Sequence, residues 1–284
     1  MKFENSSSAQ IDFTKEVPYL TFPVLSEIPF LKHGFSTRLG GVSSGIFSSM
    51  NLGNNAAPVK DEASHVKENY KRISSSIGVN FSSLTLTDQV HKTNIRLITK
   101  EDCGKGISRP SDYEKIDGFI TNVPNITLVT KYADCVPLFF VDPKKKAIGL
   151  THSGWRGTVM KIGKITVNAM KDHFGSVPED IIAVIGPSIC SDCFEIGEEV
   201  ADEFKKTFPD NWESDILIAK DHKKYQCDLW TANRIVLLEA GLKPENIHCS
   251  NVCTACNTDL FFSHRKTMGN RGSLAAFLAI SEPD

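Results

Sequence analysis

Residues 126–142, ITLVTKYADCVPLFFVD, set two β-branched, apolar runs so close together that no crossover helix fits between them. Parallel neighbours need a connection of about a dozen residues or more, so such runs form hairpin-like strands and exclude a purely parallel, doubly wound sheet. Around them, strand-like and helix-like segments alternate along the chain. FLKHGFSTRLGGVSSG, LTLTDQV, TNIRLITK, AIGLTHSGWRG, IIAVIGPSIC and LAAFLAI read as strands, several running into Gly-rich turns. DEASHVKENYKRISSSIG reads as a helix with Asp61 as N-cap and Gly78 past its end. TVMKIGKITVNAMKDHF, EIGEEVADEFKKTF and LWTANRIVLLEAG are further helices, the last closed by Gly241. The expected fold is α/β (α+β-like), with a large mixed sheet and helices on its faces. No linker-like run or internal repeat divides it, so residues 11–284 are expected to form a single domain behind a frayed, Ser-rich 1–10 segment.

Composition narrows the class. With 40% hydrophobic residues among 284 the chain can bury a sizeable core. A net charge of -2 gives no electrostatic reason to expect nucleic acid or an anionic membrane as partner. The longest apolar runs fall far short of the roughly 20 residues a membrane helix needs. MKFENSSSAQIDFTKE has no apolar segment of the kind an export signal uses, so a cytoplasmic location is expected, with no obligate protein partner evident.

Three residues at the ends of strand-like runs carry the chemistry: His91 in TDQVHKTN, Cys135 in KYADCVPLFF and His152 in GLTHSGWRG. One thiolate and two imidazoles make a ligand set for zinc, and ligands scattered over several strand ends leave a fourth position open for water or substrate. An ion there lowers the pKa of bound water towards about 7, which suits hydrolytic or deaminating chemistry. Asp134, Asp117 and Gln89 are the polar neighbours placed by sequence to orient the ligands.

HGFSTRLGGVS, MNLG, DQVH, ADCVP, HSGWRG, IGPSIC and FFSHRKTMGNRG, in this order, resemble the motifs of the bacterial laccase-domain family, long described as multicopper polyphenol oxidases and now understood as purine nucleoside phosphorylases. The resemblance runs from about His33 to Gly272. It implies a three-layer α/β/α arrangement with a mixed sheet, and a zinc enzyme that cleaves adenosine, inosine, guanosine and 5'-methylthioadenosine with phosphate and also deaminates adenosine. It assigns the metal and catalytic roles to His91, Cys135 and His152. Ser153 stands where the family more often has Ala, and HRKTMGNRG departs from the family pattern, leaving the role of Lys266 and its neighbours open.

Phosphate calls for arginine, and Arg38, Arg156 and Arg271 are the candidates, with Gln89 as a further substrate contact and Asp134 and Asp117 behind the metal ligands. The general acid of deamination is not named by any motif, since H-x-E is absent. Copper in the three-ligand site is the rival cofactor, because Cu(II) outcompetes zinc in raw affinity. A true multicopper oxidase needs many further histidines, usually in His-x-His pairs, and the eight present contain no such pair. A metal-free amidohydrolase with Cys135 as nucleophile and His152 as base is the other rival. Cys190, Cys193, Cys253 and Cys256 form two C-x-x-C pairs whose separation far exceeds the usual spacing of a zinc site, which favours buried thiols over a second metal.

Overall fold

The computed structural model describes residues 2–53 and 59–281, so Met1 and residues 282–284 at the ends of the expected terminal segment and domain lie outside the described residues. In chain order the strands of the first half are β1 (Gln10–Ile11), β2 (Tyr19–Thr21), β3 (Leu31–Ser36), β4 (Leu84–Leu86), β5 (Ile95–Leu97), β6 (Gly118–Thr121), β7 (Thr127–Tyr132) and β8 (Val136–Asp142). Those of the second half are β9 (Ala147–Ser153), β10 (Ile182–Ile185), β11 (Glu195–Gly197), β12 (Leu217–Lys220), β13 (Lys224–Cys227), β14 (Ile247–Cys249) and β15 (Leu274–Ile280). The helices are α1 (Pro23–Ser26), α2 (Ala63–Ile77), α3 (Trp155–Val159), α4 (Ile162–Phe174), α5 (Glu198–Thr207), α6 (Leu229–Glu239) and α7 (His264–Thr267).

The mixed α/β architecture expected from the alternating segments is present, with β structure between helices. The middle layer is double. One six-stranded sheet runs β1-β2-β3-β15-β7-β4, a second runs β14-β10-β8-β9-β6-β5, and a small three-stranded sheet runs β11-β13-β12. Both large sheets mix parallel and antiparallel pairs. β7 and β8, adjacent in sequence, do not pair with each other. β7 lies between β15 and β4, while β8 pairs with β9 and β10, so residues 133–135 carry the chain from one sheet to the other. The reason is visible in the burial: two runs buried on both faces can each sit in the middle of a different sheet.

Side-chain alternation then builds three cores. Phe139 and Val141 of β8 and Ile148 and Leu150 of β9 face Phe35, Leu128, Ala276 and Leu278 of the other sheet. The opposite side chains of the second sheet, including Leu138, Phe140 and Ala183, pack under α4 and α6 through Val167, Met170, Val236 and Leu237. Val129, Ala275 and Phe277 on the outer face of the first sheet are covered by Val66, Tyr70, Ile73 and Ile77 of α2. The layers are therefore α/β/β/α.

Helix ends follow local chemistry. Gly78 closes α2 in the left-handed region at φ 83°, donating to Ser74 O, as its glycine predicts. Asp61 does not cap that helix; Glu62 holds the N-cap position, and the Asp61 carboxylate accepts instead from Ser43 Oγ, Asn51 Nδ2 and the Glu62 amide. The helix read over TVMKIGKITVNAMKDHF is two, broken where Lys161 adopts φ 56°. At the N-terminus Ala9 and Ile11 are buried in the core between the sheets, and Phe3 N donates to Asn257 Oδ1 at 2.6 Å. Among the described residues no helix is long and apolar enough to cross a membrane.

Candidate metal centre and active cavity

His91, Cys135 and His152 meet at one end of the space between the two large sheets. His152 shares the inward face of β9 with Ile148 and Leu150, each two residues apart along the strand, so the strand's alternation aims its ring between the sheets, where it packs against Tyr132 at the end of β7 (ring centroids 5.6 Å apart). Cys135 lies in the connection that changes sheets, beside Asp134 in the left-handed region at φ 81°. His91 comes from the loop between β4 and β5, also at positive φ (59°). The Nδ1/Nε2 and Sγ donors of the three residues all lie within 4.8 Å of one another.

Asp117 assembles the group. Fully buried, it accepts from the amides of Val90, His91 and Lys92 at 2.9–3.1 Å and pairs with His152 Nδ1 at 3.0 Å. One carboxylate therefore fixes the backbone that presents His91 and the ring orientation of His152, leaving His152 Nε2 to face the centre. Gly154 is required by the close approach: a Cβ there would meet His91 Nδ1 at 2.9 Å and Cys135 Sγ at 3.1 Å. The electrostatics favour a thiolate. Burial pushes the Cys135 thiol up, but the facing His152 and His91 rings outweigh it and bring the pKa down to about 6. Burial pulls His152 down, and Cys135 and Asp117 reverse this, lifting it to about 9. Asp117 itself is destabilised as an anion by burial yet held below the usual carboxylate range by His152 and the amides of Lys92 and Val90.

These residues fit a divalent metal. The donor set is the soft thiolate with two imidazoles that zinc and copper both accept, and the donor atoms converge within 4.8 Å of one another.

The group lines a cavity of about 490 Å³. Tyr132, Trp155, Ile189, Phe194 and Leu229 give it apolar walls, Lys131, Arg265 and Arg271 give it cationic ones, and His264 lies beside the arginines. Arg271 donates through Nη1 to Gly272 O and Ser273 Oγ, and its buried Nε has no hydrogen-bond partner among the described residues. The other arginines read from sequence lie outside the lining. Arg38 spends its guanidinium on the carbonyls of Ser48 and Thr258 and stacks on Phe262 at 4.6 Å, bracing its own loop. Arg156 is exposed and stacks on neighbouring Trp155 at 4.2 Å. Gln89 lines the cavity, but its Oε1 accepts from Lys131 N and Thr87 Oγ1 and its Nε2 donates to Lys131 O, which makes it a clamp between its loop and β7.

Asp134 also faces inward without a free oxygen. It accepts from Thr254 Oγ1 at 2.7 Å, Ser263 Oγ at 3.0 Å and Arg265 N at 2.7 Å, so it ties the Cys135 turn to the start of α7. His264 and Arg265 were not singled out from sequence. Their signal was FFSHRK, in which Ser263 caps α7 and aims the next two side chains at the cavity; Lys266 points elsewhere and is exposed.

A family model described as multi-copper polyphenol oxidoreductase laccase matches residues 32–281. The chain belongs to this family. Within it, the chain is 37% identical over 251 residues to the purine nucleoside phosphorylase YlmD of Bacillus subtilis (strain 168), covering 88% of each protein. It is 34% identical over 241 residues to adenosine deaminase RL5 from an unknown prokaryotic organism, covering 84% of this chain and 90% of that one. The crystal structure of YlmD from Geobacillus stearothermophilus superposes with a TM-score of 0.88 at 31% identity, over 98% of this chain and 100% of that one. The laccase-domain fold is thus shared over essentially its whole length.

Proposed function

We propose that this laccase-domain protein is a zinc-dependent purine nucleoside phosphorylase, acting on adenosine, inosine, guanosine and 5'-methylthioadenosine with phosphate, and that it also deaminates adenosine. The observation that carries the reading is the cavity's composition: His91, Cys135 and His152 share about 490 Å³ with an apolar, aromatic wall and with Arg271, whose buried Nε has no partner among the described residues and could take one from an anion. The relatives named purine nucleoside phosphorylase and adenosine deaminase point the same way.

Zinc held by His91, Cys135 and His152 would supply Lewis acidity at this wall. The rest falls to the chain's own groups. Trp155, Phe194 and Tyr132 offer flat surfaces for a purine and exclude water from it. Arg271 and Arg265 would hold phosphate for attack on the ribose C1′ as the bond to the purine breaks. His264 is the proton carrier in this reading. Its Nδ1 lies 3.5 Å from Arg271 Nη2, which can only donate, so the proton sits on Nε2. Burial and then Arg271 lower its pKa, which keeps the ring neutral near pH 7 and able to exchange a proton there.

The test is direct. Zinc-loaded protein given inosine and phosphate is expected to release hypoxanthine and ribose 1-phosphate, Cys135→Ala to abolish release, and Arg271→Ala to raise the KM for phosphate more than that for inosine. Absence of free base across the four nucleosides would defeat the proposal. One second reading has a specific observation behind it: Asp117, His152 and Cys135 line up as orienter, base and lowered-pKa thiol, the arrangement of a metal-free cysteine amidohydrolase. Stoichiometric alkylation of Cys135 with zinc bound would favour it. Oxidation of phenols that tracks copper loading, with no nucleoside turnover, would favour copper as the cofactor.

A further inference from the structure

Cys190, Cys193, Cys253 and Cys256 are distant in sequence but meet in the fold. β10 and β14 run parallel as neighbours, with Ile185 opposite Cys249, so the chain leaves both strands at the same edge. The pairing extends past the strands through a bridge between Ser188 and Cys253, with Ser188 N donating to Val252 O and Thr254 N to Ser188 O. Two C-x-x-C turns are thereby pressed against each other. All four Sγ atoms lie within 4.8 Å of one another, with Cys193 and Cys256 at 3.5 Å and Cys190 and Cys256 at 4.0 Å. All four cysteines are free, at separations far beyond a disulfide bond of about 2.05 Å.

We propose that these four cysteines bind a single zinc ion as a tetrathiolate, a second metal centre distinct from the one at His91, Cys135 and His152. Tetrahedral coordination with Zn–S bonds of about 2.3 Å puts sulfurs about 3.8 Å apart, within the range found between these pairs. The amides of Cys190 and Cys256 both donate to Cys253 Sγ, at 3.3 and 3.4 Å, which gives that sulfur the acceptor role of a metal-bound thiolate. Cys253 is fully buried while Cys193 and Cys256 are partly exposed, so the site is closed on one side and open to loading on the other. An iron–sulfur cluster spreads its thiolates over separate irons and needs them further apart than this convergence.

The centre braces one wall of the cavity. Ile189 and Phe194, which line it, flank Cys190 and Cys193, and Ile189 N donates to Asp134 O at 3.0 Å. Thr254, between the other two cysteines, donates to the Asp134 carboxylate next to Cys135. Arg265 crosses from the cavity to stack on Phe194 at 5.1 Å and donate to Glu195 O at 2.8 Å.

The test uses the full chain and reads metal rather than nucleoside turnover, so it stands whether or not the proposed activity does. Cys135→Ala, which removes the only thiolate of the first centre, is expected to retain about one zinc per chain. Loaded with Co2+ it should show tetrahedral bands with sulfur charge transfer as intense as four thiolates give, and Cys193→Ser should weaken that band. In the Cys135→Ala protein, iodoacetamide should leave the four cysteines unmodified until a chelator is added. Cys135→Ala protein that holds no metal, holds iron instead, forms a disulfide within the four, or alkylates freely without chelator overturns the assignment, and these readings decide it even if Cys193→Ser does not fold.

Discussion

Asp117 organises the candidate metal centre more than any of its three donor residues does, since its two oxygens answer three amides of the His91 loop and the His152 ring. Asn at this position keeps the size but replaces one acceptor by a donor, turning an NH2 group towards groups that also donate. Asp117→Asn is therefore expected to weaken zinc binding by about 10–100-fold in a chelator competition while leaving the folded protein's circular dichroism unchanged. The His91, Cys135 and His152 group was readable because a Cys or His where an apolar run breaks into a turn is chemically distinctive. The arginines were not. Arg38 beside consecutive glycines has the look of an anion site, yet carbonyls of Ser48 and Thr258, the latter 220 residues away, consume its donors. What an arginine does depends on which acceptors the fold brings to it, and the local sequence does not contain them.

At the scale of elements, the runs flanking Cys135 were legible as strands and their partners were not. Both are rich in apolar and β-branched residues at successive positions, which points to burial on two faces without saying against which sheet. The switch from one sheet to the other at residues 133–135 is what creates the centre, because it places Cys135 between the end of β7 and the end of β9. β8 is held there by Phe139, fully buried between the sheets and edge-on to Phe22 at 5.0 Å. Phe139→Ala is expected to cost about 3–5 kcal/mol in denaturant unfolding, a cavity cost paid where the two sheets face each other. A loss below about 1 kcal/mol would mean the sheets collapse onto the gap. The break at Lys161 belongs to the same scale: a continuous amphipathic pattern hides a single left-handed residue that turns α3 away from α4.

The stability of the whole molecule is expected to depend on pH through a group outside the cavity lining. His33 on β3 is buried, and its Nε2 accepts the Phe22 amide at 2.9 Å, so the neutral ring is the one the fold holds. Burial lowers its pKa from 6.5 to about 4. The unfolded chain then binds the proton first as pH falls, so the stabilisation is present in full above about pH 6.5 and is lost between there and about pH 4, up to about 3 kcal/mol. Urea unfolding at pH 7 and pH 4.5 should show this loss, and His33→Gln should flatten it; an unchanged slope in the variant would assign the effect elsewhere. By itself the sequence determined the alternation of strands and helices, the apolar faces, the closing glycine of α2 and the choice of His91, Cys135 and His152 as a group of candidate metal donors, since these rest on periodicity and side-chain chemistry within a few residues. Only the tertiary structure decided that the β layer is double, that Arg271, Arg265 and His264 rather than Arg38 and Arg156 share the cavity, and that two remote C-x-x-C turns meet. Those outcomes follow from which strands lie side by side, and pairing between β10 and β14 or between β15 and β7 joins residues that no local pattern relates.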